Sequence, residues 1–323
     1  MNGFKRFALT GLAALTLGLG TAKGLEAATL RVPSQYATIQ QAVDASQNGD
    51  EVLVAPGIYT EVITITNKAL TLKSESGYAN TEIRGPNQPV NTDLFIISIY
   101  NSQNLKCKID GFRINANNNE TVYSIGISDH STGNGELEIC NNLIEHFARG
   151  VCPESNQFSN VHHNIFRDNY TYAVEGSQIL LNHNLIYNSQ YAIGINGTGT
   201  LANLTNNTII NNRNGSISAN GIHFSNNIFA NSAIVSIDNS SDEGNNIFYR
   251  VPLSINGSKT GCPNLELDPL FCDLINNDFT LHANSPALPQ NNECNTLIGA
   301  FGENCESTPA VRTSWGKLKT IYR

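Results

Sequence analysis

An asparagine recurs through the middle of this chain at a spacing close to 20 residues. It stands at Asn142, Asn164, Asn184, Asn207, Asn227 and Asn246, with spacings of 22, 20, 23, 20 and 19 residues. Two residues further on, every repeat has an apolar residue: Ile144, Phe166, Ile186, Ile209, Phe229 and Phe248. A period of this length, built on short alternating strands, is typical of a β-solenoid, because one coil buries its apolar face only against the next coil.

Stacking of the coils also predicts what these asparagines do. Strands in successive coils lie about 4.8 Å apart, so side chains at equivalent positions lie directly over one another. Asparagine tolerates the left-handed backbone of a tight bend, and its amide can donate a hydrogen bond to the carbonyl group of the next one. Such a ladder satisfies polar groups that would otherwise be buried without partners. We therefore predict that the six asparagines are structural and not catalytic.

The same period continues toward the N-terminus with longer loops. Short strands are predicted over residues 50–54, 62–65 and 70–73 for one coil, and over 81–84, 94–99 and 105–109 for the next. Pro56 and Gly57 are predicted to form a bend, and Gly111 takes the place of the bend asparagine.

A short amphipathic helix is predicted ahead of the first strand. Thr38 and Gln41 have the spacing of a capping box, and Ile39, Ala42 and Val43 share one face. A solenoid needs a cover at its open end, because the terminal coil exposes core side chains and unpaired strand edges. We expect this helix to be the N-terminal cap.

The chain begins with the features of a secretory signal peptide. Lys5 and Arg6 precede an apolar stretch over residues 7–19, and the small residues Ala27 and Ala28 follow. The apolar stretch is too short to span a membrane, and no later stretch approaches that length. We therefore expect an exported protein, secreted or at the cell surface, with cleavage near Ala27 or Ala28.

Seven cysteines in an exported chain predict disulfides with one thiol left over. Cys262 and Cys272 form one close pair in the sequence, and Cys294 and Cys305 form another. We expect these four residues to staple a C-terminal cap. The pairing of the remaining cysteines is left open: Cys107, Cys140 and Cys152.

Four segments follow along the chain: a signal peptide (residues 1–27), a β-helix with its N-terminal cap (28–257), the C-terminal end with a disulfide-stapled cap (258–306), and a linker with a basic tail (307–323). The tail has four basic residues and no acidic one. We expect it to dock on the acidic solenoid, to lie on a membrane, or to be read by a sorting or anchoring partner. Deleting it should change location and leave the fold intact.

Several stretches resemble a known superfamily. The segment ATIQQAVDASQNGDEVLVAPGIYTEVITITNKALTLKS resembles the opening of secreted right-handed parallel β-helix proteins of the pectate-lyase-like superfamily. The asparagine coils resemble its parallel β-helix repeats, and DPLFCD and IGAFGENC resemble a common bacterial C-terminal ending of such proteins. The resemblance covers roughly residues 30–305. It implies an all-β, right-handed, three-sheet parallel β-helix with a short N-terminal capping helix, and a groove where sugar chains lie.

The hallmark catalytic motifs of this superfamily are absent from the sequence. Its galacturonan hydrolases carry Asp-Asp and His-Gly motifs, its pectate lyases a Trp-x-Asp-His segment, and its alginate epimerases an Asp-Pro-His-Asp segment. This chain contains none of them, and its one tryptophan, Trp315, lies in the tail. Whether the protein is an enzyme is therefore left open.

The net charge and the family resemblance together limit the classes of molecule that this protein is expected to bind. A net charge of -8 disfavours nucleic acid, whose phosphates require a basic surface. The resemblance implies an extracellular or cell-surface polysaccharide, either bound only or also processed by a lyase-, epimerase- or hydrolase-like reaction. The alternative is a non-catalytic surface scaffold or adhesion protein.

One titratable cluster can be assembled from the repeat. Polysaccharide cleavage requires two carboxyl groups, or a base with a charge-neutralising group. Aligned by the asparagines, the strands that follow the bends turn Val151, Val174 and Ile193 inward. The polar residues expected to face outward nearby are the candidate catalytic residues: Asp129, His130, Arg149, Glu154 and Glu175. The competing interpretation is the ordinary polar surface of a solenoid.

No metal site is assigned, although two patterns offer ligands. Three histidines near the bends could bind a metal, or could simply replace the asparagine found there in other coils: His162, His163 and His183. A predicted turn offers oxygen ligands of the kind that calcium prefers: Asp238, Asp242 and Glu243. We therefore expect no cofactor, with calcium as the one alternative.

Overall fold

The computed structural model describes residues 27–86, 93–117, 123–154, 158–195 and 202–305. These residues form a parallel β-helix in which three sheets run along the coil. Each strand pairs in parallel with the equivalent strands of the coils before and after it, as Ile139 pairs with Ile109 and Val161. The predicted all-β solenoid, and with it the fold implied by the pectate-lyase-like resemblance, is confirmed.

Each coil contributes one short strand to each sheet. Sheet 1 contains Ile63–Thr66, Leu94–Tyr100, Ser124–Asp129, Arg149–Pro153, Tyr172–Gly176, Tyr191–Ile195 and Gly215–Asn220. Sheet 2 contains Thr29–Val32, Glu51–Val54, Leu70–Ser74, Lys106–Asp110, Glu136–Cys140, Phe158–His162, Ile179–Asn182, Ala202–Thr205 and Ile222–Ser225. Sheet 3 contains Gly57–Thr60, Thr81–Arg84, Arg113–Asn115, Leu143–Glu145, Ile165–Arg167, Leu185–Tyr187, Thr208–Ile210, Ile228–Ala230 and Ile247–Tyr249. Two longer strands, Val235–Gly244 and Leu253–Cys262, run continuously through sheets 1 and 2.

The asparagine ladder lies inside the coil between sheets 2 and 3, as predicted. From Asn142 to Asn246, each backbone N–H and each side-chain amide donates to the side-chain oxygen of the next asparagine, at 2.9–3.1 Å. The series ends on a seventh member, Asn264, which the sequence analysis missed because it follows a proline and not Asn or His. The left-handed backbone belongs to the preceding residue, with φ of 56° at His163 and 57° at Asn226. In each coil, therefore, one residue adopts the left-handed backbone of the bend, and the asparagine that follows it forms the ladder hydrogen bonds.

A second ladder lies at the corner between sheets 3 and 1. It consists of buried residues of four successive coils: Asn169, Ser189, Asn212 and Ser232. The backbone N–H of each donates to the side-chain oxygen of the next, at 3.0–3.4 Å. Asparagine and serine alternate along this ladder, so the residue type repeats only every second coil. The sequence analysis did not detect it for that reason.

The predicted capping helix is present as Ile39–Ala45 and packs on the first coil. Its predicted inward residues are buried in the core: Ile39, Ala42 and Val43. The hydroxyl of Thr38 accepts a hydrogen bond from the backbone N–H of Gln41 at 3.1 Å, as a helix N-cap does. The carboxylate of Glu61 accepts two further backbone N–H groups of the first turn.

The first coil differs from the prediction at two points. Gly57, which was expected to form a bend with Pro56, begins the strand Gly57–Thr60 of sheet 3, which pairs with Thr81–Arg84. Leu70–Ser74, which was expected to be the third strand of this coil, pairs with Glu51–Val54 and therefore begins the next coil. The chain consequently completes a turn sooner than the sequence analysis assumed.

The C-terminal segment packs against the side of the solenoid, on the outer face of sheet 3. Phe279, Leu281 and Ile298 form a buried apolar cluster with Leu185 and Ile228 of that sheet. The sequence analysis placed this segment as a cap over the end of the coil. It lies on the side instead because the outward positions of sheet 3 are apolar in these coils. The boundary predicted at residue 257 falls inside the strand Leu253–Cys262.

Four cysteines form two disulfides, Cys262–Cys294 and Cys272–Cys305. The prediction that these four residues are oxidised is confirmed, but the pairs that are close in sequence are not joined. A small sheet made of Phe271–Asp273, Asp278–His282 and Glu303–Cys305 carries Cys272 and Cys305 on its two outer strands. A 3₁₀ helix, Pro289–Asn291, precedes Cys294. The disulfides therefore join cysteines that the folding of this segment brings together, and not those that are close in sequence.

The other three cysteines are buried thiols: Cys107, Cys140 and Cys152. Burial raises the pKa of Cys140 and of Cys152 to about 12, so both remain protonated at neutral pH.

The predicted signal peptide and basic tail lie outside the described residues. Within the described ranges, no helix is long and apolar enough to cross a membrane.

Candidate functional site

The outer face of sheet 1 presents side chains of successive coils in rows. The strand register pairs Arg149 with Tyr172 and Tyr172 with Tyr191, and it pairs Glu175 with Gly194. The residues predicted to point inward are fully buried in the core: Val151, Val174 and Ile193. Because equivalent residues lie over one another, charged and aromatic groups of neighbouring coils meet on this face.

An ion pair joins two coils on this face. Arg149 Nε donates to Glu175 Oε2, and the two side chains are only 32% and 18% exposed. They line a depression of about 270 Å³ together with Cys152, Pro153 and Glu154. The ion pair is stronger because both side chains are partly removed from water. It holds the guanidinium and the carboxylate in fixed positions beside the depression.

Two tyrosine rings stack beside this ion pair. The ring centroids of Tyr172 and Tyr191 are 5.1 Å apart, with an angle of 26° between the planes. Gly194 makes room for the stack, since a Cβ there would lie 2.8 Å from Cε1 of Tyr172. Burial, and then the charge of Glu175, raise the pKa of Tyr172, so its hydroxyl keeps its proton and can donate.

A second polar pair extends the face toward the N-terminus. His130 Nδ1 lies 3.0 Å from Glu154 Oε2, and the Glu154 side chain is 55% exposed. The ring of Tyr100 stacks on His130 at 5.0 Å, and Phe95 meets its edge at 6.1 Å. The structure therefore brings four of the five predicted residues onto one face: His130, Arg149, Glu154 and Glu175.

The fifth predicted residue, Asp129, does not face this surface. Its side chain has no exposed area, and one carboxylate oxygen accepts the backbone N–H of Ser131 at 3.0 Å. The register places Asp129 beside Ile99 and Pro153 at the corner of the coil. The expectation that Asp129 faces outward is therefore wrong.

The sequence analysis missed the aromatic part of the site. Tyr172 and Tyr191 begin Tyr-Ala-Val and Tyr-Ala-Ile in successive repeats, 19 residues apart. This recurrence was the available signal, because equivalent tyrosines in adjacent coils must lie one above the other. The rings are not groups suited to acid–base chemistry, and for that reason they were not among the predicted residues.

Two of the three histidines near the bends, His163 and His183, occupy the position that asparagine holds in other coils. His163 and His183 have φ of 56° and 54°, as do the asparagines at the equivalent bends, and their rings stack at 5.0 Å with planes 5° apart. Burial, followed by the neighbouring histidines, lowers the pKa of both. His162 points elsewhere, toward Glu138, at 3.2 Å.

The candidate calcium ligands do not form a turn. Asp238, Asp242 and Glu243 lie within the strand Val235–Gly244, and their side chains lie outside the described part of the structure. The proposal that they bind calcium is therefore untested.

Comparisons with known proteins add the following. No family model matches the chain, and no curated protein matches it. Similar solved structures include a pectin methylesterase mutant in complex with a hexasaccharide, at 14% identity and a TM-score of 0.39, covering 66% of this chain and 79% of that one. Another is the A-module of the Azotobacter vinelandii mannuronan C-5 epimerase AlgE6, at 12% identity and a TM-score of 0.47, covering 68% and 74%. At these values the similarity assigns no activity, and the fold rests on the strand pairing described above.

Proposed function

We propose that the outer face of sheet 1 binds a polysaccharide chain. The observation that carries this proposal is the Tyr172–Tyr191 stack beside the Arg149–Glu175 ion pair. Tyrosine offers an apolar ring to the C–H groups of a sugar and a hydroxyl to its oxygens. The ion pair offers donors and acceptors at fixed positions. Equivalent groups recur at about the strand spacing of 4.8 Å, which suits a polymer whose units repeat on a similar scale.

The charge of this face favours a neutral glycan. Glu154 and Glu175 line the depression with a single arginine, and the whole chain has a net charge of -8. A polyuronate would bring further negative charge next to these carboxylates, which costs binding energy unless a cation bridges the two. Neutral polysaccharides should therefore bind more tightly than acidic ones at the same ionic strength.

Processing of the bound chain is a second candidate function. It is favoured by Glu154 and Glu175, two carboxylates that line one depression, with His130 3.0 Å from the first of them. Glycosidic cleavage uses two carboxyl groups, one of which must deliver a proton. Glu175 is bound by Arg149 and is only 18% exposed, whereas Glu154 is 55% exposed, so we assign the role of proton donor to Glu154. Release of reducing ends, lost in Glu154→Gln, would establish this activity.

Alanine substitution of the tyrosines tests the binding proposal. Tyr172→Ala and Tyr191→Ala should each weaken retention by the polysaccharide that the parent binds at least tenfold, which corresponds to about 1.4 kcal/mol. The measurement is affinity electrophoresis in gels containing neutral or acidic polysaccharides. Tyr78→Ala, at a partly exposed tyrosine in the turn between sheets 2 and 3, is the matched control and should bind as the parent does. Unchanged retention of both variants would exclude this face, and absence of retention of the parent by any glycan would favour the scaffold function.

We also propose that the protein is exported. The disulfides Cys262–Cys294 and Cys272–Cys305 support this, because such bonds persist in oxidising compartments. The basic start and apolar stretch of residues 1–27 provide the expected signal. N-terminal sequencing of the mature protein should begin near residue 28, and an intact N-terminus on a cytosolic protein would contradict export.

A further inference from the structure

Three metal-ligating side chains meet on the outer face of sheet 2, on a different sheet from the proposed polysaccharide face. The register pairs Cys140 with His162, and Glu138 lies two residues before Cys140 on the same side of its strand. Leu137 and Ile139, which alternate with them, point into the core. Neighbouring coils therefore present a carboxylate, a thiol and an imidazole in one place.

The distances between the three donor atoms fit a tetrahedral metal ion. His162 Nε2 lies 3.2 Å from Glu138 Oε1, and Cys140 Sγ lies 3.7 Å from the same oxygen. All three donor atoms lie within 4.8 Å of one another. Around a tetrahedral zinc ion with bonds of about 2.0–2.3 Å, ligand atoms are separated by roughly 3.3–3.8 Å. The donors therefore require only small movements to close on one ion.

Two neighbouring residues, His163 and Lys108, favour cation binding at this cluster. His162 Nδ1 lies 3.0 Å from His163 Nδ1, a contact that orients the ring and leaves Nε2 directed at Glu138. The ammonium of Lys108 lies 2.9 Å from Glu138 Oε1 and 3.5 Å from Asp110 Oδ2. A positive charge thus already lies against the carboxylate. The side chains of Glu138 and His162 are 32% and 21% exposed, so an ion reaches the cluster from their side, while Cys140 has no exposed area.

We propose that Glu138, Cys140 and His162 bind one zinc ion. The ion displaces the ammonium of Lys108, and water completes the fourth position. A donor set of sulfur, nitrogen and oxygen favours zinc over calcium and magnesium, which take oxygen ligands. On binding, the Cys140 thiol releases its proton to solvent and forms the sulfur–zinc bond, while Glu138 exchanges the hydrogen bond from Lys108 for a bond to the metal.

Metal titration of the full chain tests this proposal. The purified protein is treated with a chelator, desalted and titrated with Co²⁺ and then with Zn²⁺. One equivalent of Co²⁺ should produce a thiolate-to-cobalt charge-transfer absorption that Zn²⁺ abolishes. Cys140→Ser should remove the absorption and weaken Zn²⁺ binding at least tenfold. Cys152→Ser, at a buried thiol of sheet 1, is the matched control and should titrate as the parent does.

Further variants separate a ligand role from a folding role. His162→Gln, at a partly exposed side chain, should lose Zn²⁺ binding without a change in melting temperature. Lys108→Gln should bind Zn²⁺ more tightly, because the competing ammonium is gone, an effect that a purely structural cluster would not show. Absence of the thiolate absorption in the parent, or its persistence in Cys140→Ser, would overturn the proposal. Loss of Co²⁺ binding in His183→Ala with retention in Cys140→Ser would place the ion on the His163–His183 stack and would also overturn it.

Discussion

Replacing Asn184 with alanine is expected to lower the free energy of unfolding by about 4 kcal/mol. Its side-chain oxygen accepts the backbone N–H and the amide of Asn164 at 3.0 and 3.1 Å, and its amide donates to the carbonyl of Val161 at 2.8 Å. The side chain has no exposed surface, so water cannot replace these bonds. The buried backbone N–H of Asn164 loses its acceptor and the carbonyl of Val161 loses a donor, and each buried group left without a partner costs about 1–3 kcal/mol. Urea unfolding followed by circular dichroism measures the loss.

An exposed asparagine provides the control for this experiment. Asn214→Ala removes the same amide from an exposed position and should change the free energy of unfolding by less than about 0.5 kcal/mol. A loss below about 1 kcal/mol in Asn184→Ala would show that the ladder bonds contribute little beyond what water offers the unfolded chain.

Glu145→Gln is expected to lower the free energy of unfolding by about 3 kcal/mol at neutral pH. The Glu145 side chain has no exposed surface, and its two oxygens contact Arg113 Nη2 and Arg167 Nε, each at 2.5 Å. Removing one partner of a buried ion pair costs about 3–5 kcal/mol, because the remaining charge is left desolvated. The arginines are 34% exposed, so water compensates them in part and the lower value is expected.

The effect of this substitution should fade in acid. Burial alone would raise the pKa of Glu145, but hydrogen bonds from Arg167 and Arg113 outweigh it, and the pKa is lowered in the folded protein. Such a carboxyl group contributes stability above its unfolded pKa of about 4.3, and loses it as the pH falls through the folded pKa. The difference between the parent and Glu145→Gln, measured by urea unfolding at a series of pH values, should therefore shrink below about pH 4.

A surface ion pair gives the matched comparison for Glu145. Glu136 pairs with Lys106, and the two side chains are 41% and 78% exposed. Glu136→Gln should cost less than about 1 kcal/mol, because water already solvates both charges. If Glu145→Gln lost the same free energy at every pH, the stabilising role of the ionised carboxylate would be contradicted.

Prediction from sequence succeeded where one residue type repeats in every coil. The ladder from Asn142 to Asn246 and the inward rows of apolar residues were found this way. It failed where the stacked position changes residue type, as in the ladder from Asn169 to Ser232, and where rings and not titratable groups repeat, as at Tyr172. The residues of the second ladder and of the tyrosine stack are visible in the sequence. Their equivalent positions can be recognised only once the coils have been aligned by the asparagine repeat.

The candidate site was recovered in part for a related reason. Arg149 and Glu175 share one face because the strands of sheet 1 keep a constant register. Glu154 and His130 directly follow the ends of their strands, and they lie beside this pair. Asp129 was misplaced because the strand ends there and the chain turns, so that its carboxylate faces the backbone of Ser131. Alternation along a strand predicts direction only while the strand continues.

The repeat in the sequence was enough to predict a stack of coils with buried asparagines. A residue type that occupies the same position in every coil is stacked on identical residues in the coils above and below. Contacts between unlike residues required the folded molecule. The disulfide Cys262–Cys294, the Arg149–Glu175 pair and the group of Glu138, Cys140 and His162 all join residues at least 22 positions apart, with the exception of the two that share a strand. Which of them meet depends on loop lengths, and these vary from coil to coil, as the spacings of 19–23 residues between the ladder asparagines show.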